Sequence, residues 1–261
     1  MRLNLLNQYL LSGCTALICL LGIISLQKQY YAEHISSNKT SDYFKEEKSL
    51  ETTLNIQKNI PYFGFNNLVA DWHFLQYIQY FGDEKARDKT GYPLIPEYFE
   101  RVVDANPRFI KAFLSLSTAN SVFAGRPDRT VALMERVLQS ISPQNFPFAY
   151  LIWTYKGTDQ ILFLGDIKAA RYSYEMGAQW AEARGDDFGR QAAIRPRETA
   201  QFLATNPDPT KARIFAWMEV FSNAKDQKTR MHALGQVNSL GAKILVNQKG
   251  EMKIILPEGV K

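Results

Sequence analysis

The sequence predicts an all-α chain: a single N-terminal transmembrane helix followed by helical hairpins stacked as a solenoid. Three observations carry this reading. Leu10 to Leu26 is an uncharged apolar run of about 17 residues, near the roughly 20 that cross a bilayer. From Phe65 onward apolar residues recur at i, i+3 and i+4, the pattern of a helix with one apolar face. Glycine turns and proline stops alternate. Pro107 and Pro143 lie about 36 residues apart, and Gly125 and Gly165 about 40, in the range of helical-hairpin repeats.

Within lipid every backbone amide must be paired internally, so the apolar run is expected to be helical. An uncleaved signal anchor is the leading reading. A cleaved signal would have only Arg2 and the terminal amine as its basic region, with no small-residue cleavage site after Leu26. A lipoprotein signal is the third reading. Leu11-Ser12-Gly13-Cys14 resembles a bacterial lipobox, although most of the apolar core follows Cys14. Arg2 before the run and Lys28 after it hardly separate the two sides. A short N-terminal tail ahead of a large C-terminal part places residues 30–261 outside the cytoplasm.

Composition narrows the function classes. At 46% hydrophobic and 22% charged, the chain can bury a substantial core. Its net charge of +5 is spread along the sequence, whereas a nucleic-acid surface clusters Lys and Arg, so no nucleic acid is expected. The two cysteines, Cys14 and Cys19, both lie in the apolar run. That excludes a disulfide framework, a thiolate metal site and a cysteine nucleophile from the rest of the chain.

The elements follow in order. Residues 1–27 are the anchor. Residues 28–58 are a polar tether, carrying the sequon Asn38-Lys39-Thr40, and a short helix at 43–57. Leu68, Trp72, Leu75, Ile78 and Phe81 mark a helix burying that face, stopped by Gly82-Asp83, with a polar loop at 84–91. A helix begins near Pro93 or Pro96 and ends at Asn106-Pro107. Further helices are expected at 108–123, carrying Phe109, Phe113 and Leu116, and at 130–138, 147–164 and 166–182. Residues 59–182 thus form the repeats. Residues 183–261 form a helical cap, with helices at 186–205 (divided at Pro196), 210–224 and 226–246, and an extended tail at 252–256.

These residues resemble tetratricopeptide repeats. Phe113, Leu116 and Ser117 match the aromatic, leucine and small positions of the family's first helix. Trp153 and Gly157 match with Lys156 in the leucine place, and Trp72 and Leu75 with Gln76 in the small place. Gly165-Asp166 with Ala170 and Tyr174, and Ile95, Phe99, Val102 and Pro107, resemble second helices; Gly125 with Thr130, Met134 and Val137 does so loosely. The layout is similar to membrane-anchored repeat proteins of bacteria, cyanobacteria among them, which implies a bacterial plasma or thylakoid membrane. A plain helical bundle is the competing reading. The resemblance implies a right-handed solenoid whose first helices line a groove. By position that groove presents His73, Tyr77, Tyr80, Lys111, Leu114, Thr118, Ser121, Leu151, Thr154 and Thr158 to a protein segment.

Chemistry is sparse. His34, His73 and His232 are far apart and form no zinc spacing. Nucleophile-elbow, phosphate-loop and dinucleotide motifs do not occur. The expectation is therefore a scaffold without metal, cofactor or catalytic residue, binding membrane-associated protein partners. A permanent structural subunit, a membrane-bound enzyme and a lipid- or glycan-binding protein are the alternatives.

Overall fold

The computed structural model describes residues 13–28, 42–246 and 252–259. Leu10 to Ser12 of the apolar run, the tether with its sequon, and residues 247–251 lie outside the described residues. The chain divides into two units, Met1–Glu46 and Glu47–Lys261. In the first, residues 13–28 form a helix, α1, whose Leu17, Ile18, Leu20, Leu21, Ile23 and Leu26 are exposed. Among the described residues no helix is long and apolar enough to cross a membrane.

The second unit is mostly helical, as expected. It begins within α2 (Tyr43–Gln57), which seats Leu50 and Leu54 on the core. Then follow α3 (Asn66–Gly82), α4 (Glu84–Thr90) and α5 (Ile95–Ala105). Most of the 84–91 stretch, expected as loop, is helical (Glu84–Thr90), and the Asp83 carboxylate accepts the Ala86 N–H and caps it. Asp166, Asp186 and Asp226 cap later helices in the same way. Pro96 opens α5 in the first turn, where its missing N–H costs nothing.

The expected 108–123 helix is a short α6 (Ile110–Phe113) followed by a π-helical turn, Ser117–Phe123. After α7 (Pro127–Leu138), α8 (Tyr150–Asp159) likewise runs into a π-helical turn, Gln160–Leu164, and then α9 (Ile167–Glu182). The two hairpins correspond at an offset of about 40 residues. The Arg126 N–H bonds the Asn120 carbonyl, and the Asp166 N–H bonds the Gln160 carbonyl. Gly125 and Gly165 follow the π turns with φ of +63° and +71°, a backbone that glycine adopts without penalty.

Helix α10 (Asp187–Leu203) is continuous through Pro196, where a division was expected. Its small face, Gly189, Ala193, Pro196 and Ala200, is buried. It packs along the equally small Ala170, Ala178 and Ala181 of α9, and this close packing offsets the hydrogen bond that proline cannot make. Helix α11 (Thr210–Asn223) precedes α12 (Gln227–Ser239). The predicted helix to residue 246 stops early. Gly241, at φ +83°, reverses the chain into β1 (Lys243–Val246), which pairs antiparallel with β2 (Met252–Ile255).

Two main cores result. Phe99, Val102, Phe113, Leu116, Met134, Val137 and Ile152 centre the larger, from α2 to α8. Phe163, Ile214, Trp217, Val220 and Val237 centre the smaller, joining the second π turn to α11 and α12.

Candidate interaction surfaces

Helix α3 has one charged residue, Asp71, and apolar stripes on both sides. The stripe expected to be buried, Leu68, Trp72, Leu75 and Ile78, is exposed; Phe81 alone of that set packs inward. Ala70, His73, Tyr77 and Tyr80 face the core instead. Ala70 lets the helix approach closely, and the tyrosine rings pair with neighbours. The Tyr77 ring lies 4.6 Å from that of Phe99. Tyr80 donates to Glu47 Oε1 at 2.6 Å and accepts the Leu94 N–H.

Arg87 completes that cluster. It lies 2.9 Å from Glu47 Oε2 and stacks 3.7 Å over the Tyr80 ring, while Thr90 also donates to Glu47. Burial, then the Glu47 charge, push the Tyr80 phenol up. The same two causes push Tyr98 up to about 12. Burial, then the Arg101 guanidinium, hold His73 below the usual histidine range.

His73, Tyr77 and Tyr80 therefore do not line a groove; they are core residues that secure α3 on α2, α4 and α5. Ser121 is also buried, bonded to Thr130 and Asp159. Lys111 and Thr118 are exposed, and Leu114 packs half-buried on the larger core. Leu151 packs on the cluster of Tyr150 and Ala178. Thr154 bonds the Tyr150 carbonyl, and Thr158 bonds the Thr154 carbonyl and the Tyr174 hydroxyl. Most of the expected lining is thus engaged within the fold.

One buried carboxylate joins the two hairpins. Asp159, at the end of α8, accepts from Ser117 Oγ at 2.8 Å and Ser121 Oγ at 2.9 Å, both from the first π turn. Burial pushes it up to about 6, and the two serine hydrogen bonds oppose this. It lies within a network of hydroxyls and Asn120. Among the described residues no three His, Cys, Asp or Glu side chains converge as a metal site.

Two surfaces stand out, and both were missed in the sequence. The first is the outer face of α3 with the turn before it. Ile60, Phe63, Phe65, Leu68, Trp72, Leu75 and Ile78 are all about half exposed or more, Phe63 at 80%. At about 200 Å² per large side chain they expose on the order of 800 Å², above the largest patch of a typical monomer. Phe63 has φ of +48°, a costly conformation for a residue with a Cβ. The aromatic spacing Tyr62-Phe63-Gly64-Phe65 was the available signal.

The second is an apolar groove of about 540 Å³, lined by Ile161, Ile167, Phe202, Leu203, Ala212 and Phe215. It opens where Asn206, at φ +53°, turns the chain between α10 and α11. Phe202 and Phe215 are 61% and 51% exposed. At its edge Asp208 accepts from the Thr210 N–H and hydroxyl, which hold its carboxyl below the usual range. Comparison with protein-family models, characterised proteins and solved structures finds no match to this chain.

Proposed function

We propose that this chain is a membrane-anchored, tetratricopeptide-like scaffold that holds a protein segment in the groove between α10 and α11. The apolar run at residues 10–26 supports the anchor. The two hairpins corresponding at an offset of about 40 residues support a repeat solenoid. The observation that carries the binding role is the groove itself. Two phenylalanines at its mouth stay in water although the neighbouring helices pack closely, and exposed aromatics over an apolar floor are what an apolar peptide segment anchors to. Attachment to the membrane raises the effective concentration of the groove toward membrane partners without any new contact. The role is assembly or maintenance of a membrane complex.

The test is affinity purification of the full chain from its native membrane in mild detergent, beside a Phe202→Glu/Phe215→Glu variant. Both positions are exposed, so the variant is expected to fold. A stoichiometric protein recovered with the native chain and lost with the variant supports the groove. The same protein recovered with both removes the groove from the proposal, and recovery of no protein removes the scaffold role.

A further inference from the structure

We propose that the outer face of α3 and the turn before it form a second membrane contact, seated in the interfacial zone of the bilayer. This rests on the anchored reading of residues 10–26. Fourteen residue steps separate Lys28 from Asp42, a reach of at most about 50 Å. In an anchored chain Asp42 therefore stays within that reach of the anchor's end.

The chemistry of the face fits a bilayer. Phe65, Leu68, Trp72 and Leu75 form one seam of α3 with Ile78 on its flank, and Asp71 is the helix's only charge. The seam does not stop at the helix. It continues into the non-helical turn, where Phe63 and Ile60 are exposed and Lys58 supplies a cation two residues before Ile60. Trp and Tyr favour the headgroup level of a bilayer, and a basic residue beside apolar side chains favours an interfacial seat. A second copy of α3 could match the 65-68-72-75-79 spacing as a short coiled-coil seam. It would leave Phe63 and Ile60 uncovered, and of the flanks Val69, Asp71, Gln76 and Ile78 only Asp71 is charged, with no basic residue on the seam's flanks to pair with it. A deformable apolar phase covers helix and turn together. It also gives a use to Phe63, which is held exposed in an unfavourable backbone conformation.

Trp72 is a built-in reporter. It is 57% exposed, whereas Trp153 and Trp217 are buried and Trp180 is partly buried. The full chain is reconstituted into phosphatidylcholine vesicles with and without dibrominated acyl chains. Flotation reads the anchor, and tryptophan emission reads the face. The expected result is co-flotation, quenching by the brominated lipid that disappears in Trp72→Phe, and little quenching of Trp72 by aqueous iodide. Leu68→Glu/Leu75→Glu should still float while losing the bromolipid quenching. Co-flotation with Trp72 open to iodide and untouched by bromolipid overturns the proposal and leaves the anchor standing. Protection of Trp72 from both quenchers assigns the face to a second copy and overturns it too. Absence of flotation overturns the anchor, and this inference with it.

Discussion

Replacing Asp159 with asparagine should stabilise the fold, and the gain should depend on pH in a defined direction. The carboxyl is buried between the two π turns, with two serine hydroxyls as its donors and no cation paired with it among the described residues. Its rise from 3.8 to about 6 corresponds to roughly 3 kcal/mol against the charged form. The folded state binds this proton more tightly than the unfolded state does. The contribution of Asp159 to stability is therefore most favourable below about pH 4, falls as pH rises from about 4 to about 6, and is flat above that. Asparagine carries no charge and keeps both contacts. Its amide oxygen accepts from one serine, and its NH₂ donates to the other. Some hydrogen-bond strength is lost, because bonds to charged acceptors are the stronger ones. The net expectation is a gain of about 1–3 kcal/mol at pH 8 that shrinks toward zero near pH 4. Urea unfolding of the full chain in detergent, followed by near-ultraviolet circular dichroism from pH 4 to pH 8, measures it. A variant less stable than the native chain at pH 8, or a difference that does not change with pH, would refute the reasoning.

Three further outcomes test the packing. Leu75→Glu should change stability by no more than about 0.5 kcal/mol, as at an ordinary surface site. Tyr77→Ala on the opposite face of α3 should cost about 3–5 kcal/mol, and thermal unfolding of the pair reverses in order if the helix is turned the other way. Glu47→Gln should cost about 3–5 kcal/mol by leaving Arg87 buried beside a neutral partner, and hydrogen exchange should show α2 opening first. Gly157→Ala should cost about 1–3 kcal/mol, because a Cβ there would stand 2.9 Å from the Tyr174 ring; a Gly157→Ala/Tyr174→Leu double variant should recover part of that loss in the same unfolding measurement.

Much of the fold was legible because its signals are local. Aspartate caps, left-handed glycines and proline starts act within a turn or two of chain, so the bounds of α5, α9 and α11 followed from residues close by. Helix α4 was missed because a short polar segment shows no apolar period. The end of α12 was missed because Leu240 and Ile244 extend a helical pattern that Gly241 then breaks. Pro196 was over-read, since local preference does not record how closely α9 and α10 pack.

The candidate site was less legible, and α3 shows why. By itself the sequence determined that residues 66–82 form an apolar helix, that a long apolar run precedes it, and that cysteine chemistry is excluded from the remainder. It could not determine which side of α3 is inside, because Leu68-Trp72-Leu75 and Ala70-Tyr77-Tyr80 are both apolar rows at helical spacing. Only the tertiary structure decided this. Glu47, Leu94 and Phe99, distant in sequence, supply partners for the tyrosine row and leave the tryptophan row in solvent. The groove at Phe202 and Phe215 has the same origin, since its walls come from α9, α10 and α11 and exist only once those helices pack.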